Sequence, residues 1–262
     1  MNPKKQMNKK EKDKIIQAGK IASEVVKYAK SIIKPSVPLL EIANSVDSKI
    51  LSLNAKPAFP INLSINEIAA HSTPSWNSTE LASGLLKVDI GVHIDGFVAD
   101  TAFSLDLSDS QENQLLIKTA EQARDSALEQ IKIGTTLREI GKIIEQTCKS
   151  KNIQPIHNLS GHSIEQYNLH SGLTIPNFDN LQEIKISPGL YAIEPFTTTP
   201  SGSGSVKEGK LSGIYHLEKE GNVRDIFARK VLTFIKEEYR TLPFSTRQIH
   251  KQFNTRGLLA LR

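Results

Sequence analysis

Residues 85–103 read LLKVDIGVHIDGFVADTAF: two apolar runs either side of Asp95-Gly96, each run holding one carboxylate, Asp89 and Asp100. Asp-Gly between alternating segments is among the strongest local hairpin signals, because a type I′ turn needs two residues that accept positive φ. A two-residue turn without a bulge pairs Ile94 with Phe97. It then sets Asp89 opposite Ala102 and Asp100 opposite Gly91. Side chains alternate along a strand, so the two acids share one face as diagonal neighbours. Their cross-strand partners are small, which leaves room between the strands. Like charges held side by side away from water repel, and a hard or borderline cation between them removes that cost. The plainer alternative is a pair of acids on a solvated sheet face. The apolar neighbours Val88, Ile90, Val92, Val98 and Phe103 speak against it. His93 lies on the same face beside the turn and reads as a solvated edge residue.

A chain of 262 residues has ample material for a core and forms one large domain or two small ones. Its net charge of +5 is modest, and six lysines fall within the first 14 residues, MNPKKQMNKKEKDK. Residues 1–13 therefore read as a basic, disordered tail with at most a weak attraction to nucleic acid such as ribosomal RNA. The single cysteine, Cys148, excludes an internal disulfide and fits a reducing compartment. There is neither a run of transmembrane length nor a signal-peptide pattern, so the expected location is the cytoplasm.

Helical spacing runs over 14–34 and stops at Pro35. Ser36 is placed to cap a second helix, VPLLEIANSVDSKILSL. A loop rich in Pro and Asn (55–75) leads into the hairpin. Ser108 is placed to open a long helix that closes at Gly134, and TTLREIGKIIEQTCKSK follows. Leu39, Glu41 and Ile42 align with Leu137, Glu139 and Ile140 at a constant step of 98 residues. That step predicts an internal duplication, helix–helix–strands twice over. Strands are expected at 154–164 and 190–198, and a flexible loop at 200–209. Asp225 is expected to cap an amphipathic helix, with a short helix after it.

Outside the hairpin, reactive side chains gather in three places: AAHSTPSW with His71, LSGHSIEQYNLHSG with His162 and His170, and YAIEPF with Glu194. Singly, each has a bland reading, a surface histidine or a glutamate paired with a lysine. Together with Asp89 and Asp100 they compose a histidine-plus-carboxylate set of the kind that binds Mn, Fe, Co or Zn.

The segments LKVDIGVHIDGFVADTAF, INEIAAHSTP, NLSGHSIEQYNLHSGLTIPN and PGLYAIEPF resemble, in order and spacing, the signature segments of the type 2, archaeal-like methionine aminopeptidases. The resemblance implies the α/β (α+β) pita-bread fold with pseudo-twofold helix–helix–strand halves over residues 14–205, followed by a helical insertion over 206–262. It also implies two divalent metal ions and hydrolytic removal of the N-terminal methionine of nascent chains whose second residue is small. By the matching motifs, Asp89, Asp100, His162 and Glu194 are metal ligands. His71 and His170 contact the substrate or move protons, and Phe59 in PAFPIN lines the methionine pocket.

The resemblance departs in one place. The family's last ligand is a glutamate on a terminal strand, near a Q-F-E-H segment, and no such segment occurs before LLALR. The chain thus reads as cut inside or just after the insertion, as a gene fragment, half of a split protein or a degenerate copy, and in the split case a short second polypeptide is the expected source of strand and glutamate. Nascent polypeptides and the ribosome are the other expected partners. A non-catalytic relative that binds ribosomes or other proteins is the alternative, but it has no need of a mutually repelling set of charges. X-prolyl aminopeptidases of the same fold match these motifs less well. A DNA-binding role for the basic TRQIHKQFNTRG lacks a recognition face.

Overall fold

Helix α1 (Lys9–Ile32) begins where Asn8 and Glu11 cap each other's backbone: Glu11 N–H donates to Asn8 Oδ1 at 3.0 Å and Asn8 N–H to Glu11 Oε2 at 2.8 Å. This capping box starts the helix before the apolar repeat does, so residues 9–13 are helix, not tail. The computed structural model describes residues 7–219, 221 and 223–261, and the first six residues of the expected tail lie outside them. Helix α2 (Leu39–Ser52) is capped by Pro38. Ser36 instead takes a left-handed φ of 66° and donates its N–H to the Ala82 carbonyl at 2.8 Å, which turns the chain between the helices.

Strands β1 (Lys56–Pro57), β2 (Asn62–Ile65), β3 (Leu85–Ile94) and β4 (Phe97–Asp106) form one sheet. Strands β1 and β2 pair antiparallel with successive stretches of β3, and β4 pairs with β3 as well. Asp95 and Gly96 join β3 to β4 with φ of 50° and 82°, the two positive values the Asp-Gly signal calls for. Leu86, Val88, Ile90 and Val92 alternate into the core with Leu39, Ile42, Val46 and Ile50 of α2.

The second copy follows: α3 (Gln111–Gln130), α4 (Leu137–Ser150), β5 (Gln154–Pro155), β6 (Ser160–Ile164), β7 (Thr174–Pro176), β8 (Leu190–Ala192) and β9 (Thr197–Thr198). The cap of α3 is Ser110 rather than Ser108, because the Asp106 carboxylate takes the N–H groups of both serines and folds 106–110 into a turn. The step of 98 residues holds for the second helix of each copy, while the segment that follows is shifted by a few residues more. Leu39 N–H donates to Glu80 O and Leu137 N–H to Ile184 O, both at 2.9 Å. Ala55 N–H returns to Ile50 O, and Ile153 N–H to Cys148 O. Asn54 and Asn152 both adopt φ 56°. Cys148, where the first copy has Ile50, is fully buried, and burial pushes its thiol up to about 11, so it acts as a small apolar residue.

Strand β10 (Ile214–Tyr215) pairs with β11 (Phe244–Ser245), and helices α5 (Ile226–Glu238) and α6 (Thr246–Leu259) carry the chain onward. Asp225 caps α5 as its sequence predicts, accepting from Ala228 N–H at 2.7 Å. Residues 210–262 belong to the same compact unit as residues 8–103, while 104–165 and 169–209 form a second unit. Val231, Ile235, Phe244 and Ile249 bury one another. Arg247 on α6 reaches the buried carboxylate of Asp47 on α2 at 2.6 Å.

His93 is not the solvated edge residue its position beside the turn suggested. It is 4% exposed. Lys56 of β1 lies across from it, Tyr167 packs edge-on at 5.9 Å, and its Nδ1 accepts Gly96 N–H at 3.0 Å. Burial, helped by the Lys56 charge, lowers its pKa to about 4. The unfolded value is about 6.5, so the fold binds the neutral ring. That contribution, about 3 kcal/mol, is complete above pH 6.5 and is lost as pH falls from 6.5 towards 4. His93→Gln keeps an acceptor and cannot titrate. In urea unfolding at pH 7 and pH 4.5, wild type is expected to lose more stability than the variant over that interval. Equal losses would show that His93 is not the acid-labile group.

Candidate metal centre

The two carboxylates of the hairpin stand on adjacent strands, Asp89 on β3 and Asp100 on β4, both partly buried. The space expected between the strands is not empty. The Phe59 ring, itself 8% exposed, occupies it so closely that a Cβ on Gly91 would lie 2.3 Å from Phe59 Cε1. Gly91 is thus required by an aromatic ring rather than by an open cavity. Asn62 is the residue the sequence reading passed over. It pairs with Asp89 across β2 and β3 and is 4% exposed, and its amide donates to Pro60 O at 2.6 Å. Strand parity puts it on the face of Asp89. The PIN stretch around it offered no signal of its own.

His71 is exposed, in a left-handed conformation with φ 59°. The chain is pinned immediately after it, where the Ser72 carbonyl accepts Leu63 N–H at 2.7 Å. Thr73 and Pro74 are buried beyond that point.

In the second copy, His162 lies on β6, 7% exposed, opposite Ala192 of β8. Glu194 follows β8 directly. The apolar stretch 190–198 is not one strand: it breaks into β8 and β9 around Pro195, which has no N–H to give a ladder. The break leaves Glu194 Oε1 3.0 Å from His162 Nε2. The His170 ring meets His162 edge-on, centroids 4.3 Å apart. Between them, Ser171 N–H donates to Ser163 O at 2.9 Å and Ser171 Oγ to Ser163 Oγ at 2.7 Å, which closes the loop on which both histidines sit.

His162 and Glu194 stand side by side, and one imidazole nitrogen with carboxylate oxygens is the donor chemistry of Zn, Mn, Fe or Co. Asp89 and Asp100 present their carboxylates from the two adjacent strands of the hairpin.

The register relates the acids of the two copies. Pro57 pairs with Val92 and Pro155 with Thr197, a step of 98 in the first strand and 105 in its partner. The step of 105 carries Asp89 onto Glu194. The step of 98 carries Ser64 onto His162, and Ser64 pairs with Lys87 as His162 pairs with Ala192.

Residues 13–225 match the model of metallopeptidase family M24. The chain belongs to that family. An M24 relative, the methionine aminopeptidase of Pyrococcus abyssi, is 44% identical over 255 residues, which are 95% of this chain and 85% of the relative. The methionine aminopeptidase of Methanocaldococcus jannaschii is 43% identical over 93% of this chain and 83% of its own. Among solved structures, the methionine aminopeptidase of Rickettsia prowazekii superposes with a TM-score of 0.71 at 27% identity, over 80% of this chain and 87% of that one. A thermophilic Arx1 gives 0.78 at 14% identity over 98% of this chain and 80% of that one, a likeness of fold alone. The M24 fold, helices and sheets in a duplicated arrangement, is the pita-bread class expected from the motifs. Among the described residues no helix is long and apolar enough to cross a membrane.

Glu194→Gln removes a charged donor and keeps the shape. Changing a group that only supports a ligand costs about 10–100-fold in metal affinity, so this change is expected to weaken Mn²⁺ binding at least tenfold in calorimetric titration. Glu183→Gln, on the surface pair with Arg138, should leave it unaltered. Equal affinities for wild type and Glu194→Gln would remove Glu194 from the centre.

Proposed function

We infer that this chain is a metal-dependent methionyl aminopeptidase, acting on the N-termini of nascent polypeptides whose second residue is small. The observation that carries the reading is the 44% identity to methionine aminopeptidases over nearly all of the chain, with His162 and Glu194 3.0 Å apart on matching motifs. Asp89 and Asp100 join those two as ligands, Asp89 as the counterpart of Glu194 in the first copy. The cofactor is a pair of divalent ions, which would supply Lewis-acid polarisation and a lowered pKa for water. The remaining work falls to the protein. His170, whose ring rests on that of His162, donates a hydrogen bond to the carbonyl oxygen of the scissile bond as its charge develops. His71 serves the amide nitrogen, as contact or as proton donor. Phe59 lines the pocket for the methionine side chain, where an extra methylene is discriminated by about 1–3 kcal/mol.

Two partners follow at a finer level. Lysines at the start of the chain favour a salt-sensitive association with ribosomes, read out by co-sedimentation at low and high salt. Among the described residues β8 pairs with β6 and β9 with β5, whereas β3, the counterpart of both, pairs with β1, β2 and also β4. An added strand beside β8, carrying a further carboxylate on a short second polypeptide, fits that edge. A synthetic strand peptide with Glu should raise activity, and its Gln version should bind without doing so. No binding by either peptide removes the second polypeptide from the picture.

The function itself is tested with Met-Ala-Ser peptides and protein loaded with Co²⁺ or Mn²⁺, following release of free methionine. His170→Ala should lower kcat by about 10²–10³, the cost of one preorganised oxyanion donor, with metal affinity retained. Parallel loss of metal would make His170 a ligand. Absence of cleavage by the metal-loaded wild type would reject the activity.

A further inference from the structure

Seven residues separate His162 from His170, and the middle of that loop is clamped by groups that no catalytic role accounts for. Tyr167 takes a left-handed φ of 57°, and its N–H donates to the Gly96 carbonyl at 2.9 Å. Its ring covers Gly96 so closely that a Cβ there would lie 2.3 Å from the ring. The Arg240 guanidinium stacks over the ring at 4.4 Å from its centroid, and the Thr241 hydroxyl donates to the Tyr167 carbonyl. Beside it, Gln166 Nε2 donates to Asp95 O at 2.8 Å. Five contacts thus hold two residues, against the hairpin turn on one side and the segment following α5 on the other. At its base the loop is closed by the Ser163–Ser171 bonds. Between clamp and base only Asn168 and Leu169 precede His170, and Leu169 is 7% exposed.

We propose that Tyr167 and Arg240 are positioning residues for His170: the stacked pair, set on the Asp95-Gly96 turn, fixes the loop so that the His170 ring is held at its working angle. A donor aimed at a developing oxyanion contributes only if it is already in place, and a misplacement of about 1 Å can cost 10²-fold in rate. Lost aim appears in kcat, because the donor acts in the transition state, and not in metal affinity. The contribution of Tyr167 lies in its ring and backbone. Phenylalanine therefore preserves it and alanine does not.

The inference rests on the aminopeptidase reading, so the test carries a readout independent of it. Hydrogen exchange of peptides covering residues 163–171 and methionine release from Met-Ala-Ser are measured on the metal-loaded chain for wild type, Tyr167→Ala, Tyr167→Phe and Arg240→Ala. Expected are exchange at least tenfold faster and kcat at least tenfold lower in both alanine variants, with Mn²⁺ affinity within twofold of wild type. Tyr167→Phe should restore both. Unchanged exchange in the two alanine variants overturns the proposal, as does faster exchange with kcat unaltered. Wild type without cleavage would reject the aminopeptidase reading, and exchange alone would then decide the clamp.

Discussion

Two consecutive left-handed residues, Asp95 and Gly96, turn β3 into β4, and the placement of the carboxylates depends on that turn. A two-residue I′ turn matches the twist of the strands it joins and leaves no slack for an extra residue. A slip of one position would send Asp89 or Asp100 to the opposite face and put Val88 or Ile90, or Ala99 or Thr101, in its place. The turn is further held from outside itself. Lys14 pairs with Asp95 at 2.7 Å, neutral His93 accepts the Gly96 N–H, and the Tyr167 ring closes over Gly96. A surface ion pair such as Lys14–Asp95 contributes little. The histidine acceptor and the ring are shielded from water and contribute more.

Duplication gave the chain two equivalent frames, and the chemistry comes from their divergence. The two copies keep matching helix starts, helix ends and strand registers at the step of 98. They differ where donors are needed. The first copy has Ser64 facing Lys87; the second has His162 facing Ala192. Lys87 spans to the Asn66 carbonyl at 2.5 Å, and burial lowers its pKa to about 8. A histidine at position 64 would meet that amine, whereas at 162 the small Ala192 leaves the ring room. The copies thus present unlike side chains, carboxylates on the hairpin and an imidazole with a carboxylate in the second frame.

The hairpin and the repeat were legible because they rest on local chemistry: Asp-Gly at a turn, strand parity, a constant step between matching helices. Glu194 beside His162 was legible only through the family motif, since a break at Pro195 is needed to bring it there. Three features were misread for one physical reason: a distant segment supplied what local pattern could not show. His93 looked exposed until β1 and Tyr167 covered it. The gap at Gly91 looked open until Phe59, 32 positions earlier, filled it. Ser36 looked like a cap until its N–H went to the Ala82 carbonyl, 46 positions later.

The last helices show how polar contacts act where apolar packing is short. Helix α6 buries Ile249 and Gly257 but little else that is apolar. Arg247 gives it direction, reaching Asp47 at 2.6 Å and Asn44 at 3.1 Å on α2. Burial raises the Asp47 pKa, and the guanidinium offsets only part of that shift. Such a pair adds little net stability over an apolar replacement, yet breaking it strands a buried charge, so few orientations of α6 are tolerated. With α6 set at that angle, His250 stacks on Trp76, planes 8° apart and centroids at 4.1 Å. Trp76 is five positions after His71, on the same loop. The ion pair on α2, helix α6 and the His250–Trp76 stack thus make one continuous run of contacts from α2 to the loop that carries His71.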